Sequence, residues 1–218
     1  EMIPLADIAE PFVWTEDAQM VGLGHMPYFI EIDVAFDYFR ETRASAVSAD
    51  GKFVVGFSSI IPDSYDLGGH IRTKAFRWTE EDGMVDLGHV TGGVGLVETK
   101  AVDASEDGAV IVGMNHYELP PDVEQPPDWR ARDPFIWNEH DGMRLLRDVV
   151  AGPLGLGSTG DLDGWSLDTV TAISDDGRTI VGTGVNPLGD HEAWRLVMNH
   201  NYVAGDANLD SAFDSSDL

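Results

Sequence analysis

Hydrophobic and polar residues alternate over two short stretches on either side of an Asp-Gly pair. Ala75 to Thr79 (AFRWT) is rich in aromatic and β-branched residues, and Met84 to Leu87 (MVDL) is a second short run. Such residues suit a pleated surface, and Asp82-Gly83 between the runs fits a type I′ turn. The pattern therefore predicts a β-hairpin that stops at Gly88.

This hairpin pattern returns along the chain. It occurs upstream from Pro11 to Gly24 and downstream from Pro134 to Leu146, and a fourth copy begins at Glu192. The four copies contain tryptophans spaced 64, 59 and 57 residues apart, at Trp14, Trp78, Trp137 and Trp194. We interpret these tryptophans as core residues, one per repeat, in preference to exposed platforms for stacking sugars.

A second pattern alternates with the first. It runs from Ala44 to Ser58, from Lys100 to Asn115 and from Thr171 to Gly184. Each copy has a short strand, a polar turn that closes on Asp-Gly, and a β-branched strand that we expect to end at a glycine. Two hairpins in series make a four-stranded antiparallel meander, and a repeat of this length with four short strands matches a propeller blade.

Variable segments separate these hairpins, and they extend from His25 to Arg43, Ile60 to Thr73, Glu118 to Arg132 and Ala151 to Asp168. Alternation in the first segment suggests an additional strand. Leu145 to Val150, just before the last segment, fits a short helix or a strand equally well. Insertions in repeat proteins tend to gather on one face, often the binding face. Trp129 and Trp165 are therefore the candidate ligand-facing aromatic residues.

Together the two patterns, A-F-x-W-x-x-x-x-G-M-x-x-L-G and A-x-x-x-S-x-D-G-x-x-x-V-G, resemble the HAF-type extracellular repeat family of bacterial secreted proteins. Lys74-Ala75-Phe76 is the nearest match to the His-Ala-Phe tripeptide that names this family, with Lys in place of His. The resemblance covers most of Pro11 to Leu196. It implies a secreted or surface β-repeat domain of propeller-like form, and it implies no catalytic residues, because the family is defined by structural positions.

The number of repeats is small for a closed propeller, which has about four to eight blades. With three full units and one terminal strand, either further chain supplies more blades, or this piece forms an open or unusually small all-β assembly. An open end would expose unpaired strand edges. The chain opens at Glu1 and stops at Leu218 within a motif, so we interpret it as a piece of a longer protein. We assign residues 1–200 to the β-repeat domain and residues 201–218 to a separate calcium-binding segment.

The most specific chemical signal is this acidic tail, which has the residue spacing of an EF-hand-like calcium loop. Side-chain oxygens stand at loop positions one, three, five, nine and twelve, and a backbone carbonyl stands at position seven. The predicted ligands are Asp206, Asn208, Asp210, Ala212 (through its carbonyl), Asp214 and Asp217. Calcium favours such a spacing because six or more hard oxygens must converge on one ion.

Aspartate at the twelfth position is similar to the dockerin family, whose calcium loops carry D-x-N-x-D and end in Asp-Leu. Dockerins are secreted modules that attach enzymes to cohesin partners, usually as two loop-helix repeats. Here one loop is present, Ser211 replaces the usual turn glycine, and the chain ends before the helix. The resemblance therefore implies a truncated dockerin-like segment that binds calcium weakly, and a cohesin-type partner only where the full module is present.

The amino-acid composition argues against some kinds of partner. The chain carries 39 acidic and 13 basic residues, a formal net charge of −26. Such a surface repels phosphate backbones and anionic lipid, which argues against nucleic acid as a partner. Cysteine is absent, so no disulfide or thiolate metal site forms, and no apolar run approaches the roughly 20 residues of a membrane span.

No motif assigns a catalytic or cofactor-binding residue. The seven histidines lack metal-ligand spacing, and Asp161 and Asp163 are more simply a turn than a cation site. We therefore predict a secreted, non-catalytic binding or scaffolding domain for a polysaccharide, a cell surface or a protein partner. The alternative is part of an extracellular carbohydrate-active, polysaccharide-degrading hydrolase, whose carboxylate pair is defined by a separation in space. A self-associating structural repeat is the third reading.

Overall fold

The computed structural model describes residues 10–17, 19–26, 41–60, 72–90, 96–117, 132–151 and 164–198. These residues form thirteen strands and one short helix, so the fold is all-β as predicted. The strands are joined into antiparallel hairpins and meanders. The predicted additional strand of the first variable segment falls largely on residues 27–40, which lie outside the described ranges.

An N-terminal hairpin precedes three successive units. The hairpin consists of β1 (Phe12–Thr15) and β2 (Gln19–Gly22). The first unit is a four-stranded antiparallel meander made of β3 (Thr42–Val47), β4 (Val54–Ile60), β5 (Arg72–Thr79) and β6 (Gly83–Asp86). The pattern of alternating residues that begins at Ala75 thus forms the outer half of this meander.

The second unit repeats the same meander. It consists of β7 (Leu96–Ala104), β8 (Ile111–Tyr117), β9 (Arg132–Asn138) and β10 (Gly142–Leu145). A short helix, α1 (Leu146–Ala151), follows β10 and decides the open choice between helix and strand there. The third unit has three described strands, β11 (Ser166–Ile173), β12 (Thr179–Val185) and β13 (His191–Val197).

One parallel bridge, between Thr73 and Glu98, joins the first two units into an eight-stranded sheet. The third unit forms a separate three-stranded sheet, and the N-terminal hairpin forms a two-stranded one. None of these sheets closes on itself within the described residues.

The same bulge marks the first strand of every unit. One additional residue interrupts the ladder directly after the pairs Ala44–Gly56, Ala101–Gly113 and Val170–Gly182. A β-carbon on the glycine would lie 2.0 Å, 2.2 Å or 1.9 Å, respectively, from a carbonyl oxygen of that strand. Glycine is therefore required by the close backbone approach. Because the strand continues for several residues beyond it, the expectation that the strand ends at this glycine is wrong.

The connection between the third and fourth strands is a three-residue loop. Thr79 pairs with Gly83, and Asn138 pairs with Gly142. Both glycines have positive φ, 67° and 69°, which is typical of a hairpin closed by a bulged glycine. The predicted type I′ turn at Asp82-Gly83 is wrong, because positive φ occurs at Gly83 and not at Asp82.

The hydrophobic core lies between successive units, which pack face to face. At one equivalent position, each unit presents a buried aromatic residue to the element before it: Phe76, Phe135 and Trp194. Phe135 shares a buried cluster with Val55 of the first unit. Trp194 shares another with Val112 and Ile136 of the second unit.

Trp194 does not occupy the position of the earlier tryptophans. The residue that pairs with the bulge-facing glycine is Phe76 in the first unit, Phe135 in the second and Trp194 in the third. The counterpart of Trp137 is Leu196, since both pair with an isoleucine of the preceding strand. Equivalent positions on the third strand of each unit recur every 59 residues. The last two tryptophans are 57 residues apart, so an alignment of the units by their tryptophans shifts the third unit by two residues.

Candidate functional site

The meander places its two kinds of connection at opposite ends of the sheets. The first and third strands of an antiparallel meander run in the same direction, so all the short Asp-Gly turns lie at one end, here called the turn end. The segments 27–40, 61–71, 91–95, 118–131 and 152–163 attach at the other end, here called the insert end. The prediction that insertions gather on one side therefore holds for their points of attachment.

At the turn end, the three Ser-x-Asp-Gly turns share one hydrogen-bond pattern. In each, the serine hydroxyl donates to the aspartate Oδ1, at 2.8, 2.7 and 2.5 Å, and also accepts a backbone N–H from five residues later. The same Oδ1 accepts the backbone N–H two residues beyond the aspartate. The turns are Ser48–Phe53, Ser105–Val110 and Ser174–Thr179. The repeated sequence thus specifies a repeated local structure.

These turns bring their acids together. The backbone N–H of Glu106 donates to the carbonyl of Asp175 at 2.9 Å, which places two successive turns in contact. Acidic side chains from three turns line an open depression of about 410 Å³, here called the acidic rim: Asp50, Glu106, Asp107, Asp175 and Asp176. Histidines play no part in this lining.

The acidic rim is strongly anionic. Hydrogen bonds from Lys52 and Ser48 lower the pKa of Asp50 to about 2. Hydrogen bonds from Ser174 and from the backbone of Arg178 lower the pKa of Asp176. In the described part of the chain, no group of three or more His, Cys, Asp and Glu side chains has the geometry to hold a metal ion. Ionised carboxylates gathered around one open depression attract cations.

At the insert end, Glu98 is the centre of a small charged network. Its Oε2 accepts hydrogen bonds from Lys100 Nζ at 2.8 Å and interacts with His116 Nδ1 at 3.3 Å. Burial raises the pKa of Glu98, but Lys100 and His116 together outweigh it, so the pKa is lowered. The Lys100 ammonium also lies 5.0 Å from the centroid of the Phe57 ring. The network ties the ends of β7 and β8 to the first unit.

Buried polar residues lie beside this network. Asn115 and Asp133 face each other on β8 and β9 and are 0% and 4% exposed. The Asp133 carboxylate pairs with Arg147 at 3.3 Å, and burial together with this carboxylate raises the pKa of Tyr117 to about 12. Neither amide atom of Asn115 has a hydrogen-bond partner among the described residues. Such a group favours a water molecule, an insert side chain or a ligand as its partner.

Most of the site residues predicted from the sequence lie outside the described ranges. These are Trp129, Asp161, Asp163 and the six calcium-loop residues Asp206, Asn208, Asp210, Ala212, Asp214 and Asp217. Trp165 is described. It is partly buried and packs against the core between the second and third units.

The recurrent tryptophans divide into buried and exposed residues. Trp137 and Trp194 are buried and Trp78 is partly buried, as predicted for core residues. Trp14 is 59% exposed, so the core prediction is wrong there. The physical reason is orientation: Val13, on the opposite face of β1, is the side chain that packs against the first unit.

Sequence reasoning missed both polar groups at the insert end. Glu98 and Lys100 alternate along β7, and that spacing could have placed them on one face of a strand. The pairing of Glu98 with His116, and of Asn115 with Asp133, depends on strand register. No signal short of the register identifies these pairs.

Comparison with protein-family models, with curated proteins and with solved structures finds no match to this chain. In the described part of the chain, no helix has the length and apolar character needed to cross a membrane. Function therefore has to be argued from the geometry of the units and from the residues at their two ends.

Proposed function

We propose that this chain is a secreted, non-catalytic β-repeat domain that binds or scaffolds outside the cell, with the insert end as its binding face. The observation that carries this proposal is that all the long variable segments attach at the insert end. The three Ser-x-Asp-Gly turns lie at the other end, and at the insert end one described connection, between β12 and β13, is a tight turn. A scaffold of regular strands that carries variable segments on one side is a common design for recognition.

Repeated packing supports a propeller-like arrangement, partial or open. Strand β7 of the second unit contacts β3, β4 and β5 of the first. In the same way, β11 of the third unit contacts β7, β8 and β9 of the second. One packing operation therefore relates both pairs of units, as it does for neighbouring blades around an axis.

The proposed ligand is a polysaccharide, and its proposed contacts are aromatic. Trp129 belongs to the segment between β8 and β9, and Trp165 directly precedes β11. Both segments attach at the insert end. A large flat side chain with a polar N–H suits a surface that is apolar on one side and wet on the other.

The hydrolase alternative requires a carboxyl group that stays protonated near neutral pH to donate a proton. In the acidic rim, Asp50 and Asp176 have lowered pKa values. These two groups are suited to attract cations and unsuited to act as general acids.

Binding to soluble polysaccharides would test the proposed face. We expect Trp129→Ala and Trp165→Ala to weaken binding, and Trp14→Ala to leave it unchanged. Trp14 is the control because it is an exposed tryptophan that lies on β1, in the N-terminal hairpin, away from the insert end. Equal loss in all three variants, or no loss in the first two, would contradict the proposal.

We propose that the tail, residues 206–218, ligates calcium as a truncated dockerin-like segment. Calorimetric titration of the full chain and of a version ending at Asn201 separates its contribution from that of the body. Heat that disappears with the tail supports the proposal. Heat that persists in the shorter chain would place the calcium site in the β-repeat body, with the segment from Asp161 to Asp163 as its first candidate.

A further inference from the structure

The N-terminal hairpin exposes residues that the later units bury. Trp14 pairs with Met20 across the hairpin, as Trp137 pairs with Met143 in the second unit. Phe12, Trp14 and Met20 are 57%, 59% and 65% exposed. Their counterparts Phe135, Trp137 and Met143 are 0%, 8% and 8% exposed. The hairpin face formed by Phe12, Trp14 and Met20 is therefore an inter-unit surface that nothing in the described residues covers.

The surface that covers the equivalent residues of the second unit is the outer face of the first unit. Phe135 and Trp137 share a buried cluster with Val55 and Ala75. The guanidinium carbon of Arg77 lies 5.3 Å from the centroid of the Trp137 ring. This distance is within the range of a cation–π interaction. Val55, Ala75 and Arg77 of the first unit therefore lie against the aromatic face of the second.

The outer face of the third unit carries the same three residue types at the same positions. Val181 pairs with Arg195 as Val55 pairs with Arg77. Ala193 lies two residues before Arg195, as Ala75 does before Arg77. Ala193 and Arg195 are exposed. The third unit thus repeats the surface by which the first unit covers Trp137.

Charge supports a contact between these two surfaces. The whole chain has a formal net charge of −26, yet the charged residue of β13 that shares a face with Ala193 is the cation Arg195. Glu192 is also exposed, but alternation along the strand places it on the other face. The hairpin turn beside Trp14 carries Glu16 and Asp17, both exposed. Opposite local charges thus face each other where two copies would meet, which favours a specific encounter.

We propose that copies of this chain associate head to tail, with the hairpin face of one copy covered by the outer face of the third unit of the next. In this contact Arg195 of one copy lies against the Trp14 ring of the other, as Arg77 lies against the Trp137 ring within the chain. The occupant is a second copy because the contact continues an interface that the chain already makes between its own units. A head-to-tail contact produces a ring or an open filament, depending on the rotation between copies. It depends on neither the calcium tail nor the polysaccharide face.

Sedimentation velocity over a wide range of protein concentration tests the proposal. We expect the full chain to form larger species as its concentration rises. Trp14→Ala and Arg195→Glu should each raise the dissociation constant by about tenfold, because each variant loses a desolvated cation–π contact. Leu188→Ala, at a residue that is 86% exposed, is the matched control and should change nothing.

Cross-linking gives an independent measurement of the same contact. The chain has no cysteine, so Glu16→Cys and Ala193→Cys variants each carry one thiol and keep both Trp14 and Arg195. Residues 16 and 193 are exposed. A mixture of the two variants should form a covalent dimer with a short bifunctional thiol reagent, and a mixture of Glu16→Cys with Leu188→Cys should not. A monomer at every concentration would overturn the proposal and would mean that another occupant, such as a variable segment of the same chain, covers the hairpin face. Association that neither Trp14→Ala nor Arg195→Glu weakens would overturn it equally.

Discussion

Gln19 occupies the position in the N-terminal hairpin that Gly83 occupies in the first unit. Thr15 pairs with Gln19 as Thr79 pairs with Gly83, and the two φ angles are 61° and 67°. This left-handed conformation costs about 1 kcal/mol or more of free energy for a residue with a β-carbon. The side-chain amide of Gln19 donates to the carbonyl of Glu16 at 2.9 Å and offsets part of that cost.

Replacing Gln19 by glycine should therefore stabilise the N-terminal hairpin. We expect a gain of about 0.5 kcal/mol, since relief of strain exceeds the lost side-chain hydrogen bond and the greater freedom of glycine in the unfolded chain. Hydrogen exchange of the β1 and β2 amides measures this local stability directly. The reverse change, Gly83→Gln, is the control and should destabilise the first unit by about 1 kcal/mol. Faster exchange in the Gln19→Gly hairpin would contradict the argument.

Two glycines of the second unit should respond differently to a methyl group. At Gly113 a β-carbon would lie 2.2 Å from the carbonyl oxygen of Lys100 and 2.4 Å from the Phe135 ring. At Gly142 no atom lies within 4 Å, and the strain comes from its φ of 69° alone. We expect Gly113→Ala to cost about 3 kcal/mol or more of unfolding free energy, and Gly142→Ala about 1 kcal/mol. Denaturant unfolding measures both changes in unfolding free energy. Equal losses would show that glycine is required at position 113 for a reason other than the close backbone approach.

Local signals predicted the parts of the fold that depend on neighbouring residues. The Asp-Gly pairs, such as Asp107-Gly108, mark turns because glycine takes positive φ and aspartate accepts nearby backbone N–H groups. The aromatic and β-branched residues Phe135, Ile136 and Trp137 predicted a strand, and the strand is there. Both properties are fixed within a few residues, so a single sequence suffices to find them.

The sequence alone did not predict the register in which the strands pair. The bulge opposite Gly113 depends on the register of β7 against β8. The registers of β8 with β9 and of β12 with β13 make Trp194 the counterpart of Phe135. The exposure of Trp14 depends on which neighbour covers its face. At the insert end, Asn115 meets Asp133 only because β8 and β9 pair as they do. These are non-local facts that spacing along the chain does not contain.

The serine that closes each Ser-x-Asp-Gly turn should matter in proportion to its burial. Ser105 is 1% exposed, and its hydroxyl accepts the buried backbone N–H of Val110 at 3.0 Å. Ser174 accepts the N–H of Thr179 in a half-buried setting. We expect Ser105→Ala to cost about 2 kcal/mol, because a buried N–H loses its partner, and Ser174→Ala about 1 kcal/mol. Chemical denaturation measures both, and a larger loss at Ser174 would refute the ordering by burial.

The acidic rim gives the stability of the chain a specific dependence on pH. Lys52 and Ser48 lower the pKa of Asp50 to about 2, below the value near 3.8 of the unfolded chain. A carboxylate with a depressed pKa in the folded state contributes stability above the unfolded pKa and loses it as pH falls through the folded one. The contribution of Asp50 is therefore complete above about pH 4 and disappears towards about pH 2.

Asp50→Asn isolates this charge, because the amide oxygen can still accept the hydrogen bonds from Ser48 and from the backbone of Lys52. The variant should be less stable than the unmodified chain at neutral pH, and the two should converge as the pH falls from about 4 to about 2. Comparing the two chains at each pH cancels the general relief of acidic repulsion. Urea unfolding across this range provides the measurement. A difference that stays constant with pH would show that Asp50 acts through its hydrogen bonds and not through its charge.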